Sequence, residues 1–340
     1  MALSDRYRLE REIGAGGMAT VFLAEELRHQ RPVAVKVLRP ELSAALGHDR
    51  FRRELTTAAG VRHPHIVPLY DSGEAAGFLF YVVPFVEGES LRDRLAREGP
   101  LPIEDALRFA DEIASALSYA HGRGILHRCL TADRILLEHG HAMVADLGIA
   151  QAVSAASDAT HVAIGMDIAT PTYTSPEQSS GAVIDARSDL YALGCIVYEM
   201  LAGSPPFTGP TATAVMVRHA IEPVPKLGAR RANVPKPVID AVEGALAKSP
   251  VDRFASVVSR QIEQMAGAPL KEITVRHAFG PAFQMVEGSA IPAPATAEQL
   301  MATKGPRRLS LISCRQRATT SFLHPVSPTR NTLASVGPRS

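Results

Sequence analysis

Residues 13–21 read Ile13-Gly14-Ala15-Gly16-Gly17-Met18-Ala19-Thr20-Val21, a glycine-rich turn between two strand-like segments. Glycine lets backbone N–H groups approach phosphate oxygens with no Cβ in the way. Glycines at this spacing also open dinucleotide-binding folds, but there a helix follows directly. Here Ala19 to Ala24 continues as a strand through Val21, Phe22 and Leu23. The loop therefore reads as a β-hairpin over a nucleotide, with a plain tight turn as the bland alternative.

The next segment sharpens that reading. Val33-Ala34-Val35-Lys36-Val37-Leu38 is a β-rich run that puts a lysine on an otherwise apolar strand. Burying that ammonium is costly unless it is paired. Glu54 lies 18 residues on, in a stretch from His48 to Ala59 that carries Phe51, Leu55 and Ala58 at helical spacing. In this arrangement Lys36 holds phosphate and Glu54 fixes its position; the alternative is a solvent-facing lysine on an edge strand. Phe78 to Val83 is a further apolar strand.

After Val86-Glu87-Gly88-Glu89-Ser90 the pattern turns helical. Between Pro102 and His121 one stripe holds Ile103, Ala106, Leu107, Ala110, Ile113, Ala114, Leu117 and Ala120. Pro102 at its start and Gly122 near its end are the residues helix termini prefer. Further helices are predicted over 188–201, which is apolar enough to be buried, and over 211–221 and 238–247. A strand-rich front and a helical back predict an α+β chain of two lobes joined near residues 84 to 90.

The 340 residues, 46% of them hydrophobic and 21% charged, suffice for one large domain with a tail. A net charge of +1 gives no global reason to expect nucleic acid as a partner. Three widely spaced cysteines, Cys129, Cys195 and Cys314, form no CxxC pair, which argues against disulfides and zinc. The first ten residues have no apolar run of the signal-peptide kind, and no stretch is long enough to read as a membrane span. The expected setting is the cytoplasm.

With Gly14, Gly16, Val21, Lys36 and Glu54 in place, the chain resembles bacterial serine/threonine protein kinases of the eukaryotic-like type. The resemblance runs over residues 7–264. It implies the two-lobed kinase fold, with a β-rich lobe at 7–84, a helical lobe at 88–264, and a tail at 265–340. It further implies ATP as the ligand, held by Gly14, Ala15, Gly16, Gly17, Met18, Val21, Ala34 and Lys36. Ala19 stands where the family has its third glycine. Tyr81 to Gly88 resembles the hinge, with Val83 in the gatekeeper position and Pro84 and Phe85 beside adenine. Asp146-Leu147-Gly148 resembles the DFG motif, whose aspartate binds Mg²⁺; an Asx turn is the bland reading of the same residues. Ser175-Pro176-Glu177 resembles the APE triplet, Arg253 the arginine that pairs with its glutamate, and Asp189 the anchor of the catalytic loop.

The catalytic loop itself departs from the family. Residues 127–134 read His-Arg-Cys-Leu-Thr-Ala-Asp-Arg, where the family has His-Arg-Asp-Leu-Lys-Pro-x-Asn. Cys129 takes the place of the general base, Thr131 that of the lysine on the γ-phosphate, and Arg134 that of the asparagine on the second metal. A cysteine thiol, mostly protonated at neutral pH, is a poor substitute for a carboxylate base. Asp133 is a candidate to rescue it, although the position ordinarily points elsewhere. Arg134 brings a fixed positive charge toward the metal position, so one Mg²⁺ through Asp146 is expected rather than two.

The resulting expectation is a pseudokinase that binds ATP and acts as an allosteric partner or scaffold, with an active kinase among its candidate protein partners. The alternative is a weakly or unconventionally active kinase transferring the γ-phosphate to protein Ser or Thr. Arg128 remains either as a receiver of a phosphorylated activation-segment residue or as a local backbone contact; Ser154, Ser157, Thr160, Thr170, Thr172 and Thr174 are the candidates in that segment. The tail carries nine Lys and Arg against three Glu, net +6, with scattered Pro, Ser and Thr. It reads as disordered.

Overall fold

The computed structural model of the chain describes residues 3–46, 48–149 and 171–253. The expected tail, and the activation-segment positions 154, 157, 160 and 170, lie outside them.

The front lobe is a five-stranded antiparallel sheet in the order β1-β2-β3-β5-β4. Its strands are β1 (Tyr7–Ala15), β2 (Ala19–Glu26), β3 (Arg31–Leu38), β4 (Asp71–Ala75) and β5 (Phe78–Pro84). Two register shifts in the β1–β2 pair, at Leu9/Arg11 and Glu12/Gly14, fall on the approach to the glycine turn. Such bulges bend the strand and increase its twist, which curls the hairpin tip. Helices α1 (Pro40–Leu46) and α2 (His48–Ala59) follow β3. Phe51 and Leu55 of α2 are fully buried against Leu38, Leu79 and Tyr81, as their helical spacing requires.

The lobes meet at a tight crossing. Strand β6 (Glu89–Ser90) pairs with β7 (Ile135–Glu138), which forms a hairpin with β8 (His141–Val144). A Cβ on Gly88 would stand 1.9 Å from the Leu137 carbonyl oxygen, so only glycine lets the connection pass this close to β7. Ser90 then caps α3 (Leu91–Glu98): its hydroxyl accepts from Asp93 N while the Asp93 carboxylate accepts from Ser90 N.

The back lobe is built around α4 (Ile103–His121) and α6 (Ala186–Ala202), the latter following the short α5 (Pro176–Ser179). On α4 the predicted Ala106, Ala110, Ile113, Ala114, Leu117 and Ala120 are buried, Ile103 and Leu107 are half-buried, and Phe109, Glu112 and Ala116 join the buried face. Helix α6 is buried continuously from Ser188 to Leu201, so it forms the axis of the lobe and is apolar on nearly every side. Each fully buried Leu or Phe here contributes about 1.5–3 kcal/mol relative to exposure. Helix α6 begins two residues earlier than predicted because the Asp185 carboxylate caps it, accepting from Arg187 N at 2.7 Å. Helices α7 (Ala212–Ile221), α8 (Leu227–Arg230) and α9 (Lys236–Ala245) complete the lobe. Among the described residues no helix is long and apolar enough to cross a membrane.

Candidate functional site

The site lies where the glycine hairpin, the hinge and the β7–β8 hairpin converge. Gly14 pairs with Val21 and Ala15 with Thr20, and Gly16 N closes the turn on Ala19 O at 2.9 Å. Gly17 continues that turn, and Met18 is buried behind it with its carbonyl accepting from Arg39 N at 3.0 Å. A Cβ at Gly14 would meet nothing within 4 Å, and one at Gly16 only Ala19 O at 3.9 Å. Internal packing therefore does not require glycine at either position. The missing side chains leave open space at the hairpin face.

Ala34 and Val83 sit opposite one another on β3 and β5, and Val21 packs on the same cluster. Leu136 of β7 and Met143 of β8 are a register pair and join that cluster from the other lobe. Together these side chains form an apolar cluster at the junction of the two lobes, the slot between them where a flat base would have to enter. Pro84 ends β5 and has no N–H, so its backbone offers only a carbonyl. The next N–H, that of Phe85, donates to Pro32 O at 3.4 Å.

Lys36 and Tyr81 are register partners on β3 and β5 and share one target. The Lys36 ammonium lies 2.7 Å from Asp146 Oδ1, and the Tyr81 hydroxyl donates to the same oxygen at 2.9 Å. On the other side Arg134 Nε lies 3.7 Å from Asp146 Oδ2. Burial pushes the Asp146 carboxyl up, but Lys36, Arg134 and the Tyr81 hydroxyl outweigh it and hold the group below its ordinary value. Burial and the adjacent carboxylate push the Tyr81 phenol well above its ordinary value, so it remains a donor. Asp146 itself is left-handed, φ 61°, and Gly148 follows at φ 79°. A Cβ there would stand 2.9 Å from Ala58 Cβ of α2, so glycine is required both by conformation and by close approach. Glu54 lies within α2, but its side chain is outside the described residues.

Beneath Asp146 runs the catalytic loop. The buried Asp189 carboxylate accepts from His127 N at 2.8 Å and Arg128 N at 2.7 Å, and His121 Nε2 meets it at 2.8 Å. These bonds hold Arg128 in a left-handed conformation, φ 64°. The His127 ring reaches Ala145 O at 3.0 Å and so ties the loop to the residue before Asp146. Cys129 is 6% exposed, and its Sγ lies 3.8 Å from His127 Nδ1. Burial pushes its thiol up to about 11, against a smaller opposing pull from Arg134, so the group is protonated at neutral pH. Thr131 is also buried. Asp133 is 58% exposed on its side chain, and its carboxylate lies 3.7 Å from Arg92 Nε. That arginine also binds Glu199 Oε1 at 2.6 Å and the Tyr173 hydroxyl.

Arg134 points back into the site. Its Nη1 donates to Cys129 O, and Nη2 lies 3.9 Å from Met18 Sδ on the glycine hairpin. Arg134, at the position where the resemblance implies a metal-binding asparagine, thus reaches from the 127–134 loop to Asp146 and to the glycine hairpin. A hard divalent cation needs several oxygen ligands. Among the described residues a single carboxylate faces the position, already paired with an ammonium, a hydroxyl and a guanidinium. Among the described residues no group of three His, Cys, Asp or Glu side chains is placed to hold a metal. As arranged, Asp146 would be the carboxylate that holds Mg²⁺, beside the fixed charge of Arg134, with waters and a nucleotide's phosphates supplying the other oxygens.

The structure brings Lys36, Asp146 and the 127–134 loop together beside the slot formed by Val21, Ala34 and Val83. Sequence reasoning missed Tyr81, Leu136 and Met143. The last two had a signal: Ile135 and Leu137 face the lobe's core, so alternation sends Leu136 the other way. Tyr81 had none, because an aromatic in an apolar run looks like any other core residue.

A kinase-family arrangement also governs the far end of the lobe. Arg253 grips Glu177 with Nη1–Oε1 at 2.7 Å and Nη2–Oε2 at 2.8 Å. Comparison with known proteins agrees with this geometry. Residues 7–266 match the family model described as protein kinase domain. Serine/threonine-protein kinase PknB of Mycobacterium leprae is 40% identical over 268 residues, covering 77% of this chain and 43% of that protein. PknB of Mycobacterium tuberculosis is 41% identical over 268 residues, 77% of this chain and 42% of its own. Serine/threonine-protein kinase PrkC of Bacillus subtilis is 37% identical over 256 residues, 74% of this chain and 39% of that one. The chain thus spans less than half the length of these relatives. It has the antiparallel front lobe and helical back lobe of the fold, and it belongs to the bacterial serine/threonine protein kinase family.

Proposed function

We propose that this chain is a pseudokinase: it binds ATP in the slot between its lobes and acts as an allosteric partner or scaffold for another protein of a phosphorylation pathway. In this reading the domain covers 7–264, and 265–340 is a separate tail. The observation that carries it is the pairing of Cys129 with Arg134. A buried, protonated thiol stands at the base position, and a guanidinium stands where a metal-binding oxygen belongs. Losing a positioned general base typically costs about 10²–10⁴ in rate. Asp133 does not offset this, since its carboxylate is directed to Arg92.

ATP binding rests on different residues. The glycines at 14 and 16 leave open space, Lys36 is held by Asp146, and Val21, Ala34, Val83, Leu136 and Met143 supply apolar surfaces for a flat base. Pro84 and Phe85 lie at the hinge edge of that slot.

A second reading is a slow kinase, favoured by the undamaged scaffold around Asp189 and Arg253. The two are separated by phosphoryl transfer from γ-labelled ATP to the protein itself and to a generic basic protein. Label equal to the Lys36→Ala background is expected for the pseudokinase. Label that appears with wild type and vanishes in Lys36→Ala would overturn it.

A further inference from the structure

We propose that Arg134 stands in for the divalent cation, so that the site takes the phosphate chain of ATP without Mg²⁺ between two built-in cations, Lys36 and Arg134. The inference rests on the ATP-binding reading above and deepens it.

Position and donor count carry the argument. Lys36 reaches Asp146 from the front lobe at 2.7 Å and Arg134 reaches it from the back lobe at 3.7 Å, so one carboxylate holds both cations at the same end of the slot. Among the described side chains, two cations against one anion leave this cluster one positive charge in excess, complementary to a polyphosphate. Arg134 is aimed beneath the glycine hairpin, as its contact with Met18 Sδ records. A guanidinium has five N–H donors. Arg134 commits one N–H of Nη1 to Cys129 O and one of Nη2 to a weak thioether acceptor. The second N–H on each has no acceptor among the described residues. Two parallel N–H groups on a planar fork match two oxygens of a phosphate.

A divalent ion at the same place meets the opposite conditions. It would sit against a fixed positive charge, in a setting where like charges repel more strongly than in water. Its carboxylate ligand already accepts from Lys36 and the Tyr81 hydroxyl on Oδ1, which leaves it Oδ2, the oxygen that faces Arg134. The arginine that spoils a metal site therefore makes a phosphate site.

The test is ATP binding to the full chain by titration calorimetry, in EDTA and in millimolar Mg²⁺, with adenosine as the probe of the base slot alone. Wild type is expected to bind ATP in EDTA with an affinity within about threefold of that in Mg²⁺. Arg134→Ala is expected to weaken ATP binding in EDTA about 10- to 100-fold and to leave adenosine unchanged, the size of one charge-assisted contact. Unchanged adenosine binding also reports that the variant is folded. Arg134→Asn, which supplies a metal-ligating oxygen, is expected to bind ATP only when Mg²⁺ is added. The inference is overturned if wild type needs Mg²⁺, or if Arg134→Ala keeps its metal-free affinity. It is equally overturned if Arg134→Ala binds ATP more tightly, which would make the arginine a plug. Adenosine and ATP both failing to bind wild type in either buffer would overturn the ATP-binding reading itself.

Discussion

Two arginines of this chain each meet a buried carboxylate, and they are used in opposite ways. Arg253 commits all five of its N–H donors within the protein. Two go to Glu177, and the rest go to Ala247 O at 2.7 Å, Arg187 O at 3.1 Å and Lys248 O at 3.0 Å. Glu177 also accepts from Ser188 Oγ at 2.6 Å, and the arginine has no donor to spare. Arg134 meets Asp146 only at 3.7 Å and keeps donors in reserve. A saturated guanidinium can only hold the fold together, whereas an unsaturated one beside an open slot can receive a ligand. The scaffold of the kinase fold and its chemistry thus depend on different residues, so replacing the second need not disturb the first.

The sharpest way to break this contrast is to remove each arginine in turn. Arg253→Ala leaves Glu177 buried with one hydroxyl partner and is expected to cost about 3–5 kcal/mol of unfolding free energy, measured in urea. Glu177→Ala is expected to cost less, because Arg253 keeps its three carbonyls. Arg134→Ala is expected to cost only about 1 kcal/mol, since Asp146 retains Lys36 and Tyr81. Equal losses for Arg253→Ala and Arg134→Ala would abolish the distinction.

The same contrast predicts that chemistry can be returned to an intact frame. The triple variant Cys129→Asp, Thr131→Lys, Arg134→Asn is expected to raise phosphoryl transfer by about 10²–10⁴ over wild type, the usual range for a positioned base. The contribution of each change need not add. No gain in a folded, ATP-binding triple variant would mean that the scaffold has lost more than its catalytic loop.

Acid should separate the two regions as well. His219 of α7 is buried between the Tyr191 hydroxyl, 2.8 Å from Nδ1, and the Phe207 ring, with Lys248 Nζ on its carbonyl at 2.8 Å. Burial pushes its imidazole down to about 4, with the Lys248 charge adding to the effect. Between that value and the ordinary 6.5 the unfolded chain binds the extra proton and the folded chain does not. Stability is therefore complete above about pH 6.5 and falls as the pH drops toward 4, by about 3 kcal/mol in all. Asp146, held below its ordinary value, keeps its charge through this window. His219→Gln is expected to flatten that part of the pH–stability curve; an unchanged slope would assign the acid sensitivity to another group.

How much of this was legible in sequence follows from what each residue depends on. The fold was legible because the glycine turn, the strand after it and Lys36 are local features, and helical periodicity placed α2 and α4 nearly to the residue. The pairing of Glu177 with Arg253 came from resemblance and holds in the structure. That a cysteine stands at the position where the resemblance implies a general base was legible as a letter, but the upward push on Cys129 was not, since it arises from burial by distant elements. Nor was the direction of Arg134 legible, because a long side chain one turn from Leu130 has several ways to lie. Its course was fixed by Cys129 O below and Met18 above, contacts that exist only after both lobes have formed.

Tyr81 is the smallest and most exacting test of the contrast, because it lies between the two kinds of region. It is a core residue of the front lobe by burial, yet its hydroxyl points at Asp146 through the register that sets it opposite Lys36. Tyr81→Phe keeps the ring, so packing is preserved and only the hydroxyl contact is lost. A neutral donor to a carboxylate that retains two cations is worth about 1 kcal/mol, and the unfolding free energy is expected to fall by that amount. If the hydroxyl only supports Asp146, metal-free ATP affinity should change by less than about threefold, at most about two-thirds of that free energy. If affinity instead falls as far as in Arg134→Ala, Tyr81 orients the carboxylate that holds both cations. The phosphate site would then extend into the core of the front lobe, and scaffold and chemistry would share a residue after all.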